Sequence, residues 1–331
     1  MRAFVVDHDA GVRDWPEPTA AAGEILVEPL LVGVCGTDLE IIDHTIDPAY
    51  VRHPLVIGHE WVGRLREGHA LGPTGTHVVV EGVLTCGRCP ECRRGDTNRC
   101  VVYDEIGFTR PGALADLVKV PACAVHVLAE HVSNDDAVLV EPMAVVWRAL
   151  TRLAIPDGAR VAVVGDGTVA LLTAHLVRRF APSRVVVVGR RGAQRDLALR
   201  AGADDFLITP PPETFDLVIE AAGVATAVSD ALSLAARGAQ VILLGLPAHG
   251  TTVPLAPDHL VNNDIILQGS FSYTRAAWAA VVELVNRGEL SPGFLITHRF
   301  SLDDADDAVR ALRGPLGEAE PRGKVVVRVR D

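Results

Sequence analysis

Four cysteines crowd one short stretch of this 331-residue chain. Cys86, Cys89, Cys92 and Cys100 lie in CGRCPECRRGDTNRC, separated by two, two and seven residues. Thiolates so close in sequence can close a tetrahedron around one Zn2+, and a four-cysteine shell leaves no place for a substrate, so such a zinc is structural. Gly87, Pro90 and Gly95 let the backbone wrap tightly around it. The spacing differs from the common iron–sulfur patterns. A net charge of −11 disfavours a zinc ribbon for nucleic acid. Cys123 has no sequence partner and reads as a buried, inert thiol.

Isolated ligand types stand in three other segments: Cys35 in GVCGTDLEI, His59 and Glu60 in IGHEWVG, and Glu141 in LVEPMAV. Taken singly, each has an ordinary structural explanation as a small buried thiol, a satisfied core histidine or a surface carboxylate. A different chemistry is written into RVAVVGDGTVALL, where Gly165, Gly167 and Ala170 fit a dinucleotide fingerprint, with Thr168 and Val169 opening the helix at the pyrophosphate. The next strand, RVVVV, ends on Gly189 where an NAD enzyme usually carries an acid, and Arg190 and Arg191 follow. Guanidinium groups grip a 2′-phosphate that an acid would repel, so the expectation is NADP(H) in preference to NAD(H).

The elements that must hold these groups follow from the apolar pattern. EILVEPLLVGVCG, HPLVIGHEWVG, THVVVEGVLTC and GALADLVKVP are short runs broken by Gly and Pro, which predicts a β-rich domain over 1–145. From VWRALTRLAI onward, RVAVVG, RVVVVG, FDLVIEAAG and AQVILLGLP alternate with helical stretches, which predicts a doubly wound parallel sheet over 146–271. The prolines at 210–212 read as a loop within it. WAAVVELVNRG and DDADDAVRALRG read as helices, and KVVVRV as a closing strand.

Six cysteines are too few for a disulfide scaffold, no apolar run is long enough to span a membrane, and MRAFVVDHDA lacks a leader pattern. The expectation is a cytoplasmic protein that binds a small molecule, with neither nucleic acid nor membrane as partner.

Together the GHE segment, the four-cysteine loop, the Glu141-Pro142 pair and THRF at 297–300 resemble the zinc-dependent medium-chain alcohol dehydrogenase superfamily, in its polyol, threonine and glucose dehydrogenase branch. The resemblance covers nearly the whole chain. It implies an α/β fold in which a GroES-like catalytic domain is interrupted by a Rossmann domain, with 272–331 returning to the catalytic domain. It implies two zinc ions per chain, the second held by Cys35 and His59, with Glu60 and Glu141 as direct or indirect carboxylate partners. It implies that Thr37 hydrogen-bonds the substrate oxygen, that Glu40 finishes a proton path, and that Asp38 either supports His59 or caps a helix. Gly223 and Leu246 are implied beneath the nicotinamide. A homodimer or homotetramer is implied as well.

The substrate expected is a polyol, sugar or cyclitol. The alternatives are a simple alcohol, aldehyde or amino alcohol, or a nucleotide-binding protein of the same fold without turnover. The segment from Gly63 to His77 is shorter than the family's and carries Gly75-Thr76-His77-Val78 at its end. Trp61, Phe108, Arg110 and Trp147 are candidates for the substrate pocket, with packing or surface as the other reading.

Overall fold

The structure is a computed structural model that describes residues 1–314 and 320–330. Contacts divide it into two units: Met1–Ala144 with 273–314 and 324–330, and Val145–Ser272 with 320–323. The sequence placed 272–331 in the first domain, but 320–323 go with the second unit. The reason is local: Gln194 and Thr168 bind the backbone of Arg322 and Gly323. Residues 315–319 and 331 lie outside the described residues. Among the described residues, no helix is long and apolar enough to cross a membrane.

In the first unit the strand Glu24–Val34 is central to a seven-stranded sheet. Lys324–Arg328 and then Ile296–Ser301 lie on one side of it, and Glu60–Leu65, His77–Val80 and Val125–Val127 on the other. Val118–Pro121 pairs with its first half. Residues 27–34 are all buried, which is why LVGV reads as an unbroken apolar run rather than an alternating one. The register sets Gly33 opposite Glu60 on one neighbour and opposite Val326 on the other. Phe4, Ile57, Trp61, Leu114 and Val327 belong to the core, where each buried aliphatic side chain contributes about 1.5–3 kcal/mol. The long strand runs through Cys35 directly into the helix Gly36–Ile42.

In the second unit six strands are all parallel. Their order is Asp205–Leu207, Arg184–Val188, Arg160–Val164, Phe215–Glu220, Ala235–Leu243 and Ile266–Gly269. Chain order reverses direction between Arg160–Val164 and Phe215–Glu220, the switch point at which doubly wound folds bind nucleotides. The helix Thr168–Val177 starts at that point and buries Leu171, Leu172, Leu176 and Val177. The Val-rich strands are buried as their continuous apolar sequence requires.

Candidate active site and metal centres

Cys35 ends the long strand and stands as the cap of the helix Gly36–Ile42. Its Sγ lies 3.2 Å from His59 Nε2, and the thiol, imidazole and Glu60 carboxylate offer ligand atoms within 4.8 Å of one another. His59 precedes and Glu60 opens the adjacent strand, and both are buried. Asp38 satisfies both readings of its sequence position. Its Oδ2 accepts the Cys35 N–H at 2.9 Å, and its Oδ1 stands 3.4 Å from His59 Nδ1. That second contact is an electrostatic one, since neither atom completes a well-aligned hydrogen bond.

Burial alone would lower the His59 pKa, but Cys35 and Asp38 raise it well above the usual imidazole value. Burial and then the Glu60 charge raise Glu141. A half-buried thiol, a buried imidazole and a buried carboxylate converging on one point favour a cation, and the donor set suits zinc. Glu141, in the first turn of Val140–Leu150, is not among the three that converge within 4.8 Å. It lies near enough to Glu60 and His59 for their charges to act on it.

Sequence reasoning missed Lys324. Its ammonium contacts Glu60 Oε2, and the lysine is 1% exposed. Burial would lower its pKa, but Glu60 and then Cys35 raise it. One signal was available: the chain contains just two lysines among its many arginines, and this one opens the closing strand.

Thr37 and Glu40 lie three residues apart on the helix Gly36–Ile42, so they share a face. Burial raises the Glu40 pKa. Of the pocket candidates, Phe108 sits beside His59 with ring centroids 5.0 Å apart. Trp61 packs into the β-rich core, Trp147 stacks on Phe180, and Arg110 pairs with Asp104 at 2.6 Å. The short segment before His77 closes as a turn through Thr76, and His77 Nε2 meets Asn134 Oδ1 at 2.7 Å.

The four sulfurs of Cys86, Cys89, Cys92 and Cys100 also lie within 4.8 Å of one another. Cys89 caps the short helix Pro90–Arg94, which ends at Gly95 with φ 87°. Backbone N–H groups of Cys92 and Val101 pull the Cys89 thiol down to about 6. Burial and the neighbouring sulfurs push Cys92 up to about 12. Four thiols so close cannot all ionise without a cation among them, so this cluster also fits a metal. Cys123 is exposed, contrary to the buried thiol expected, because it sits in the short turn Ala122–Ala124 between two strands.

At the switch point Gly165 has φ 128°, and a Cβ there would meet the Ala221 backbone at 2.9 Å. Gly167 caps the helix that begins at Thr168 and has open space around it, a fit for a pyrophosphate at a helix start. Gly189 has no room for a side chain, because its Cβ would lie 2.6 Å from Asp166 Cβ and 2.7 Å from the Phe206 ring. Arg190 Nη2 donates to Thr226 Oγ1 at 2.6 Å. Arg191 is committed to Asp166 Oδ1, 2.7 Å from its Nη2, so its charge is already paired where the sequence suggested a free cation. Gly223 and Leu246 lie against each other, with a Gly223 Cβ 3.0 Å from Leu246 O. Glu220, beneath them, accepts the Ala222 and Gly223 N–H groups at 2.8 Å each.

Comparison with known proteins identifies both domains. Residues 21–130 match the alcohol dehydrogenase GroES-like domain, and residues 164–287 match the zinc-binding dehydrogenase domain. The chain is 32% identical to an L-threonine 3-dehydrogenase of Streptomyces coelicolor, over 89% of this chain and 90% of that one. It is 27% identical to a sorbitol dehydrogenase of Bacillus subtilis, over 95% and 94%. It is similar in structure to a zinc-binding dehydrogenase from Sinorhizobium meliloti solved with NADP, with TM-score 0.90, 27% identity and 99% of each chain covered.

Proposed function

The chain belongs to the zinc-dependent medium-chain alcohol dehydrogenase superfamily, in its polyol and threonine dehydrogenase branch, and from that premise we propose that it oxidises a polyol, sugar or cyclitol with NADP+. The observation that carries catalysis is the convergence of the half-buried Cys35 with the buried His59 and Glu60. Zinc, when bound by these residues, with Glu141 direct or through water, supplies a Lewis acid that makes an alcohol proton easier to remove. NADP+, when bound, supplies the hydride acceptor. A second zinc would be held by the four cysteines with a purely structural role.

The chain's own residues set up the rest. In this reading Thr37 hydrogen-bonds the substrate hydroxyl, and Glu40, one turn on, takes the proton toward solvent. Burial raises the Glu40 pKa, which makes it a better proton acceptor than an exposed carboxylate. Asp38 fixes the His59 ring and the start of its own helix together, and Lys324 holds the Glu60 carboxylate. Phe108 packs its ring beside His59.

Three features support NADP over NAD: Gly189 in place of an acid, the packed space around it, and the arginines beside it. An amino alcohol is the second reading, favoured by the 32% identity to an L-threonine 3-dehydrogenase. A homo-oligomer is part of the same proposal. The sheet edge Ile266–Gly269 and the nearby Val261 leave apolar side chains exposed, and sedimentation will give the assembly size.

The deciding experiment is an initial-rate screen of zinc-loaded enzyme against polyols, sugars, cyclitols, amino alcohols and simple alcohols with NADP+ and NAD+. Highest kcat/KM on a vicinal diol with NADP+ is expected. A best rate on threonine selects the second reading, and no turnover across the panel overturns both.

A further inference from the structure

We propose that Glu220 is a positioning residue for the nicotinamide half of the cofactor, holding two turns together as one bed for the ring. The inference rests on the reading of the chain as a nicotinamide-dependent dehydrogenase. A dinucleotide crosses the switch point of a doubly wound sheet outside the carboxyl ends of its strands. On that reading the glycine turn at 165–167 takes the pyrophosphate, and the strand end at Gly189 takes the adenosine ribose. The other half of the cofactor then falls on the far side of the switch, where the paired strands Phe215–Glu220 and Ala235–Leu243 end.

Glu220 is the last residue of its strand and is fully buried. Its Oε1 accepts the N–H groups of Ala222 and Gly223, both at 2.8 Å, which curls the chain over the carboxylate. Its carbonyl accepts the N–H groups of Leu244 and Gly245 at 2.8 and 3.1 Å, so the same residue fastens the turn that leaves the next strand. The two turns are pressed together, since a Cβ on Gly245 would run into Gly223 N and stand 2.6 Å from Glu220 Oε2. Ala221 ties the first turn to the glycine turn, its N–H donating to the Val164 carbonyl at 2.8 Å.

Two features mark this place as a ligand bed. Glu220 Oε2 is buried and completes no well-aligned hydrogen bond among the described residues. A buried carboxylate left half satisfied costs stability, and such a group calls for a use beyond packing. Val224 and Leu246, each next to one of the two apposed glycines, are 39% and 67% exposed. They offer apolar surface close to the polar glycine turn, which suits a flat ring joined to a pyrophosphate.

Calorimetry on the zinc-loaded protein tests the role. Parent, Glu220→Met and Glu220→Gln are titrated with NADPH and NADH, and with ADP-ribose and its 2′-phosphate, which lack the nicotinamide. The parent should bind the complete cofactor more tightly than its truncated form. Glu220→Met fills the space without accepting a hydrogen bond. It should lose about tenfold for the complete cofactor, the scale of one or two hydrogen bonds, and keep its affinity for the truncated one. Glu220→Gln, whose amide oxygen can accept the same two N–H groups, should retain most of the parent's affinity. Emission from the bound reduced cofactor reports on the ring itself; it should move toward that of free cofactor in Glu220→Met and be restored in Glu220→Gln. Glu220→Ala is the second truncation if the methionine is not accommodated.

A parent that binds neither NADPH nor NADH overturns the dehydrogenase reading itself. If the parent binds and Glu220→Met matches it for every ligand, that reading stands and the role of Glu220 is overturned. A parent indifferent to the nicotinamide overturns the role too, as does a Glu220→Gln that falls as far as Glu220→Met. Equal loss for complete and truncated ligands, or failure of both truncations to fold, makes the carboxylate structural and overturns it as well.

Discussion

Lys324 meets the Glu60 carboxylate over Gly33, inside the β-rich unit. The strand register produces the encounter, since Gly33 pairs with Glu60 on one neighbour and with Val326, two residues from Lys324, on the other. A Cβ on Gly33 would stand 2.5 Å from Glu60 Oε2 and 2.5 Å from Lys324 Cε. The glycine is there for space, and it leaves a buried ion pair beside the candidate zinc ligands.

Gly33→Ala should therefore push the pair aside and cost about 1–3 kcal/mol, the usual penalty for overfilling a packed site. Lys324→Met should cost more, about 3–5 kcal/mol in zinc-free protein, because it strands a buried carboxylate. Bound zinc should lessen that second loss by giving Glu60 another cation. Urea unfolding with and without a chelator measures both. A Lys324→Met protein as stable as the parent under chelation would show that the pair contributes nothing.

Cys86→Ser should bring the zinc content from two ions per chain to one, and the remaining ion should stay with Cys35 and His59. The cause is the thiol cluster, in which backbone N–H groups draw Cys89 down to about 6 while burial and the neighbouring sulfurs push Cys92 up to about 12. Loss of that metal should destabilise the protein by more than about 4 kcal/mol, as lost metal sites do. Elemental analysis beside thermal melting tests this. A parent protein carrying a single zinc would remove the structural role.

The sequence disclosed these two centres unequally, for a physical reason. Cys86, Cys89, Cys92 and Cys100 share one loop, so their spacing already is their geometry. The parallel sheet was equally plain, since strands buried on both faces must be apolar throughout. Cys35 follows one strand while His59 and Glu60 begin another, and only long-range pairing brings them together. Residue type gave the charge of Arg191 but not its partner, because Asp166 reaches it across the glycine turn. Lys324 was hidden for the same reason: nothing local ties KVVVRV to IGHEWVG.

Glu28 gives a prediction about acid stability. It is 5% exposed and faces Arg64 at 2.9 Å, Arg66 at 2.5 Å and Arg330 at 3.2 Å. Burial would raise its pKa, but the three guanidinium groups hold it below the ordinary 4.5. The unfolded chain then binds this proton more readily than the folded one. The stability Glu28 contributes is complete above the unfolded value and is lost as pH falls through the folded one. The arginines are a third to a half exposed, so the contribution is about 1 kcal/mol after solvent screening. Glu28→Gln should lower stability at pH 7 and have less effect at pH 3. Urea midpoints that shift equally at both values would dismiss the mechanism.

Gly189→Asp is the substitution that should convert an NADP site to NAD in most folds of this kind, and here it should fail. The new Cβ would lie 2.6 Å from Asp166 Cβ and 2.7 Å from the Phe206 ring. A second carboxylate would also stand beside Asp166, which already holds the backbone of Arg190 and Arg191. Crowding and like charge act together, so the variant should bind both cofactors more weakly and lose about 1–3 kcal/mol of stability. Adding Asp166→Gly removes the repulsion and the contact with the Asp166 Cβ, leaving the Phe206 ring to shift, and the double variant should recover NAD+ binding relative to NADP+. Calorimetric affinities for the two cofactors, with urea unfolding of each variant, decide the matter. If Gly189→Asp alone gains NAD+ affinity at unchanged stability, the packing of Asp166 and Phe206 against Gly189 does not govern cofactor choice.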